Sequence, residues 1–178
     1  MKKGIFSIPV YKKNISMDLV IDEIIGQTIK AEKWGLDEAF FGEHITDMHE
    51  KITSSLLMVS TLSRLTEKIK LGTLTTNLNF YKPAVIASMI AMADNLSKGR
   101  LMLGIGSGAN MSDIESIGFA EKNNHSLMLE IEQILQKIFR SQKLVNIKSK
   151  NYKVGVFPVK DNEWFDIGQW SEFKKLGL

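Results

Sequence analysis

Three histidines are the only side chains in this chain with an unperturbed pKa near neutrality. His44 follows Phe40-Phe41-Gly42-Glu43, an apolar run that reads as a strand closing in a polar turn. A histidine at such a place can act as a general acid or base. An ordinary loop histidine satisfied by backbone fits the same position about equally well. Glu43 beside it can orient the imidazole or hydrogen-bond a polar cofactor edge, or be a plain solvated carboxylate. His49 lies in the same loop and His125 opens the last helix. His44 and His49 are five apart, which is no recognised metal-ligand spacing, so no metal site is expected. The second chemical signal is Gly104-Ile105-Gly106-Ser107-Gly108 after another apolar run. Glycines there let backbone approach a ligand, and their N–H groups can hold an anion. The pattern also suits a tight turn. It departs from the dinucleotide fingerprint because Ala109 replaces the third glycine of the strict pattern and the run is on the fourth strand rather than the first.

These residues need elements to position them. Apolar runs at Gly4–Val10, Leu36–Gly42, Ile69–Thr76 and Arg100–Ile105 read as strands. Between them, helical spacing predicts helices over Met17–Trp34, Thr53–Leu65 and Pro83–Leu96, and a fourth follows at Leu127–Phe139 with Asn124 as its cap. Pro83 suits a first helical position, and the apolar circumference of that helix predicts packing on both sides. Pro9 is expected to end the first strand. Four strand–helix units imply parallel strands, and uninterrupted apolar strands imply cover on both faces. Ligands in such folds bind at the C-terminal strand ends, where both signals fall. An open doubly wound sheet and part of a (β/α)8 barrel fit equally. After Arg140, Ser141–Lys153 is Lys-rich without periodicity, so residues 1–140 are expected to form one domain, 141–150 a linker and 151–178 a short β-containing appendage.

Composition excludes other classes. The 178 residues are 44% hydrophobic, 24% charged and 8% aromatic, which is ordinary for a globular chain. Zero cysteines exclude a disulfide framework and a thiol nucleophile. No apolar run reaches the roughly 18 residues of a membrane helix, and a cytoplasmic protein is the default expectation. Lys+Arg number 23 against 20 Asp+Glu. The excess sits in the Lys-rich tail, which reads as a solvated surface rather than a nucleic-acid or lipid contact.

The blocks Leu71-Gly72-Thr73-Leu74-Thr75-Thr76-Asn77, Lys82-Pro83-Ala84 and Asp94-Asn95-Leu96-Ser97-Lys98-Gly99-Arg100-Leu101-Met102-Leu103-Gly104-Ile105-Gly106-Ser107-Gly108 resemble the luciferase-like flavin monooxygenases. That superfamily includes bacterial luciferase, alkanesulfonate monooxygenases and deazaflavin (F420) reductases. Gly4–Ile8, Trp34-Gly35-Leu36-Asp37, Gly42-Glu43-His44 and Asn123-Asn124 agree, so the resemblance covers about residues 1–140. It implies a (β/α)8 barrel, present here as its first half, with FMN or F420 at the strand ends and O2 and a small organic molecule as substrates. His44 matches the active-site histidine, a proton-transfer group near the flavin. Glu43 matches an acidic residue near the ring. Leu74–Thr75 matches a non-prolyl cis peptide behind the ring, and Thr76-Asn77 is closer to the F420 branch. Gly106 stands where luciferase has a reactive cysteine, and Ser107 where it has an arginine on the flavin phosphate. A whole barrel needs ~250 residues. A half barrel leaves strand edges that must be paired or covered, either in a homo-oligomer or by the Val154–Val159 strand. A non-catalytic flavin-binding or interaction protein is the alternative.

The tail, Val154-Gly155-Val156-Phe157-Pro158-Val159 with Trp164-Phe165-Asp166-Ile167-Gly168 and Phe173-Lys174-Lys175, resembles the end of sugar-phosphate nucleotidylyltransferases. A packed hairpin explains Trp164, Asp166 and Trp170 as well. A deletion joining two genes, leaving a degenerate remnant, would account for both resemblances.

Overall fold

The strand and helix segments fold as an alternating α/β chain. The computed structural model describes residues 1–8, 10–118, 124–141 and 145–156. Strands β1 (Gly4–Ser7), β2 (Glu38–Phe41), β3 (Lys70–Asn77) and β4 (Leu101–Gly106) form one parallel sheet in the order β1-β2-β3-β4. Helices α1 (Met17–Lys33), α2 (Ser55–Ser63) and α3 (Pro83–Leu96) each link one strand to the next. After β4 come a short helix α4 (Met111–Ser116) and the long α5 (Asn124–Arg140). Pro9, Asn123 and the tail residues Phe157–Leu178 lie outside the described residues, so the expectations placed on them, Trp164, Asp166 and Trp170 included, stand where they were.

Alternation along the strands sorts the side chains into two faces. Ala39, Phe41, Leu71 and Ile69 are buried against Val20, Ile24, Val59 and Leu62 of α1 and α2. Leu101, Leu103 and Ile105 pack with Ile86, Ile90, Ile131 and Leu135 of α3 and α5. The opposite face carries Phe6, Phe40, Leu74 and Met102, and no helix covers it among the described residues. Phe6 is 52% and Leu74 42% exposed. The described residues supply helix cover on one face only. Likewise α3 buries Ile86, Ala87, Ile90 and Ala93 between its neighbours but exposes Val85 and Met92. Its apolar circumference overstates its burial.

The N-terminal end of the sheet is tied by two charged side chains. Glu32 Oε1 accepts backbone bonds from Glu67, Lys68 and Ile69 at 2.7–2.9 Å. Arg100 donates from all its guanidinium nitrogens, to Ser97 O, Ile69 O, Ser63 O, Thr66 O and Thr66 Oγ1 at 2.8–3.0 Å. Lys98 (φ 55°) and Gly99 (φ 73°) adopt left-handed backbone to turn the chain from α3 into this clamp. That conformation favours glycine at 99.

The stretch after Arg140 departs from expectation. Val145–Lys148, inside the segment read as lacking periodicity, is a strand (β5) and pairs antiparallel with β6 (Lys153–Val156). A four-residue strand is too short to show its period. Ile147 and Val154 pack on Ile134 and Ile138 of α5. The hairpin is thus a separate two-stranded sheet; of the Val154–Val159 stretch expected to cover an edge, Val154–Val156 pair with β5, and residues 157–159 lie outside the described residues.

Candidate active site

The C-terminal ends of β2 and β3 meet at Glu43. Its carboxylate is buried, with Oε2 accepting from Ser55 N (2.9 Å) and Ser55 Oγ (2.7 Å), and Oε1 from Asn77 N (2.8 Å). It therefore fastens the start of α2 to the ends of β2 and β3, and it does not orient His44. Thr76 is fully buried and its hydroxyl lies 3.0 Å from Ser55 Oγ. Its side chain belongs to the same cluster, behind the wall on which a ligand would lie.

His44 is oriented by residues that sequence reasoning missed. Its Nδ1 lies 3.0 Å from Asp113 Oδ2. Asp113, at the start of α4, is 1% exposed, and its Oδ1 accepts from Ile45 N (3.1 Å), Thr46 N (2.7 Å) and Thr46 Oγ1 (2.7 Å). Glu50 Oε2 lies 2.9 Å from His44 Nε2, yet this oxygen has no aligned hydrogen-bond donor. The Asp113 bond fixes the ring through Nδ1, and Nε2 faces the Glu50 carboxylate. Asp113 is 69 residues away in sequence, and only its place soon after the glycine run hinted at the site.

Burial pushes the Asp113 carboxyl up, but the bonds from Thr46 and His44 outweigh it and hold it below its ordinary 3.8. Glu32 behaves alike: burial raises it, and the three backbone donors with Arg100 nearby bring it below 4.5. A carboxyl lowered in the folded state stabilises the fold above its unfolded pKa, and that stabilisation is lost as pH falls through the folded value. Melting temperature is therefore expected to be flat near neutrality from these two groups and to fall once the pH drops below about 4.5. Thermal melts of the wild type and Glu32→Gln check this. The variant should show a shallower acid slope, and an equal slope would refute the assignment.

The wall beside His44 is built from backbone. The Leu74–Thr75 peptide is cis, and the β3–β4 register shifts between Thr73 and Thr76. Thr73 Oγ1 bridges this break, accepting from Gly104 N (3.1 Å) and donating to Gly104 O (2.8 Å). A Cβ on Gly106 would sit 2.3 Å from Thr75 Oγ1 and 3.0 Å from Asn77 Oδ1, so only glycine lets these side chains lie across β4. Thr75 Oγ1 in turn donates to Asn77 Oδ1 at 3.2 Å. Ser107 continues the rim, its carbonyl accepting from Asn79 Nδ2 at 2.8 Å. Exposed Leu74, glycine backbone and the Thr75–Asn77 pair suit one face and one polar edge of a flat ring, so the residues present fit the ring of a flavin. Among the described residues, Ser107 has no bond to a lysine or arginine side chain. A crevice of about 10 Å3 between Ile8, Gly42, His44 and Glu50 is room for about one water molecule and too small for a tricyclic ring. A groove of about 830 Å3 between α5 and β5 is lined by Gln133, Lys137, Arg140 and Lys148 and holds neither histidine nor carboxylate. No group of three or more potential metal ligands occurs among the described residues, and no helix there is long and apolar enough to cross a membrane.

The comparisons agree with this geometry. The profile of the luciferase-like monooxygenases matches residues 1–162. The F420-dependent glucose-6-phosphate dehydrogenase of Nocardia farcinica is 35% identical over 96 residues, 52% of this chain and 29% of the relative. The 4-hydroxyprotoasukamycin monooxygenase of Streptomyces nodosus subsp. asukaensis is 28% identical over 107 residues, 60% of this chain and 29% of its own. The oxygenating constituent of 3,6-diketocamphane monooxygenase of Pseudomonas putida, solved with FMN, superposes with a TM-score of 0.84 at 25% identity, covering 92% of this chain and 46% of that one. The chain spans less than half the length of each. The profile runs through Val154–Val159, so the nucleotidylyltransferase resemblance of that stretch, and the gene junction drawn from it, are not borne out.

Proposed function

The chain belongs to the luciferase-like monooxygenase family, and from that premise we propose that it forms part of an FMN-dependent monooxygenase site acting with O2 on a small organic substrate. The observation that carries this reading is His44, its Nδ1 held by the buried Asp113 carboxylate at the strand ends beside a wall built on Gly104 and Gly106. Reduced flavin, when bound, would supply the electrons that activate O2. Leu74 and the backbone of Gly104 and Gly106 would form the wall behind the ring, and Thr75 and Asn77 would offer polar groups to its edge. Glu43 holds that wall to α2. His44 Nε2 would give or take a proton, and Asp113 keeps the other nitrogen's proton in place.

F420 is the second reading. It is favoured by Thr76-Asn77 and by the higher identity to a relative whose name states F420 dependence. The test is to mix the purified chain with FMN or F420, desalt it and record the absorbance that co-elutes. FMN retention followed by oxygen transfer from reduced FMN to a panel of ketones, aldehydes and terpenes, read as a gain of one oxygen atom by mass, is the expected result. Retention of F420 alone would replace the cofactor assignment. Retention without oxygen transfer would favour a non-catalytic flavoprotein, and retention of neither would overturn the proposal.

A further inference from the structure

We propose that Glu50 is a positioning residue that keeps a proton on His44 Nε2, so that the imidazole enters the reaction as a proton donor. Glu50 Oε2 lies 2.9 Å from Nε2, and that oxygen is buried with no hydrogen-bond donor aligned on it. A buried carboxylate oxygen without a donor is costly unless a charge compensates it. Among the described residues, the His44 ring is the group that stands within ion-pair distance of it. The other ring nitrogen is already committed, since Nδ1 lies 3.0 Å from Asp113 Oδ2. Asp113 accepts three further bonds at Oδ1 and its carboxyl stays ionised near neutrality, so the hydrogen between it and the ring comes from Nδ1. A neutral ring has one such hydrogen and would leave a lone pair at Nε2 facing the Glu50 oxygen. Two lone pairs repel at that distance, so the geometry calls for a second proton between Nε2 and Oε2. Imidazole is the more basic of the two, with ordinary values of about 6.5 against about 4.3, and the proton rests on nitrogen.

The loop after β2 builds this contact. His44 N donates to Ile52 O at 2.9 Å, which closes the loop on itself. Asp47 Oδ1 accepts from His49 N (2.7 Å) and Glu50 N (3.1 Å) and so holds the turn that carries Glu50. Tyr11 N donates to His49 O at 3.0 Å, and His49 Nδ1 donates to Tyr11 O at 2.7 Å. Three carboxylates surround the ring: Asp113 from α4, Glu50, and Asp47 within charge range in the same loop. From β1 and the residue after it the adjoining crevice receives the uncharged Ser7 and Ile8, and the lysine that lines it, Lys51, bonds Lys13 O at 3.0 Å. These surroundings favour a positive charge on the ring. In use, the Nε2–H bond breaks and the proton passes to a basic oxygen of the reactant, leaving a neutral ring with its remaining proton on Nδ1. The lone pair at Nε2 then faces Glu50, and the pair takes a proton back from water. This inference rests on the reading of His44 as the proton-transfer group and assigns the direction in which the proton first moves.

The test is NMR of the chain with isotope-labelled histidine ring nitrogens, whose chemical shifts tell an N–H from a bare nitrogen. His44→Ala removes the His44 signals and so identifies them. At neutral pH the wild type should show both His44 nitrogens protonated. Glu50→Gln should keep the proton on Nδ1 and lose the one on Nε2, because the new amide can donate to a bare nitrogen. Asp113→Asn should do the reverse, losing the proton on Nδ1 and keeping the one on Nε2. A merely structural role for Glu50 would not produce this crossed pattern. Glutamine has the size of glutamate, and none of the loop ties above uses the Glu50 carboxylate, so the variant should fold, which its backbone amide spectrum checks. A wild type with Nε2 bare would overturn the proposal by itself. So would a folded Glu50→Gln protein that keeps both protons. No flavin is added, so either result leaves the cofactor assignment standing, and a chain that retains no flavin still reports on Glu50.

Discussion

Arg100→Ala is expected to lower the unfolding free energy by about 3–4 kcal/mol, a large part of the 5–15 typical of natural domains. Arg100 sits at the start of β4, away from His44, and every one of its guanidinium nitrogens is engaged. Truncation removes those bonds and strands acceptors on Ser63, Thr66 and Ile69, residues at most 5% exposed. An orphaned buried acceptor costs about 1–3 kcal/mol, and bonds to a charged donor lie at the strong end. Glu32, which lies near Arg100 and gathers the turn before β3, loses a cationic neighbour as well. The melting temperature should fall on the order of 10 °C. Arg100→Lys keeps the charge but not the planar fork, so it should recover less than half of the loss. Any flavin affinity should be nearly unchanged once the variant is folded, because the clamp is at the other end of the strands. Chemical denaturation of the three proteins decides it. A loss for Arg100→Ala under about 1 kcal/mol, the scale of an ordinary surface change, would show that the guanidinium is dispensable.

The same residue illustrates what the sequence reveals and what it hides. Leu-Ser-Lys-Gly-Arg is the block by which the family is most readily recognised, and its last residue serves the fold rather than the site. The main elements were legible because their periods are long enough to read. Val20, Ile24, Thr28 and Ala31 recur at helical spacing on α1 and are all buried. Ile131, Ile134 and Leu135 do the same on α5. Three features were hidden, two by their shortness and one by its distance in sequence. The β5 strand and α4 are four and six residues long, shorter than the window in which a period declares itself. Glu43 looked like a partner for His44 because it is adjacent in sequence, yet successive side chains at a strand end diverge, and its carboxylate turned to Ser55 and Asn77. The partner His44 does have is brought in by β4 and the turn after it. A contact across 69 residues has no local signature.

His44→Ala is expected to lower turnover about 10²–10⁴-fold, the usual contribution of a positioned acid or base, while leaving the fold and the ring's binding wall in place. The reasoning rests on what remains. Asp113 would keep its bonds from Ile45 N, Thr46 N and Thr46 Oγ1, so the loop after β2 stays anchored, and Leu74, Thr75, Asn77 and Gly106 are untouched. Asp113→Asn separates orientation from presence. If the new amide keeps its oxygen on Ile45 and Thr46, its N–H₂ faces His44 Nδ1. That donor requires an unprotonated Nδ1, which moves the proton of a neutral ring to Nε2 and takes away its ability to accept one there. The Asn variant should therefore retain flavin and lose turnover through kcat more than through KM, by less than the alanine variant, since a wrongly protonated imidazole can still donate. Flavin-dependent oxygen consumption and product formation, measured side by side for the two variants, distinguish the cases. Unchanged turnover in His44→Ala would remove His44 from proton transfer. Equal loss of bound flavin and of turnover would instead make the His44–Asp113 pair a support for the cofactor wall.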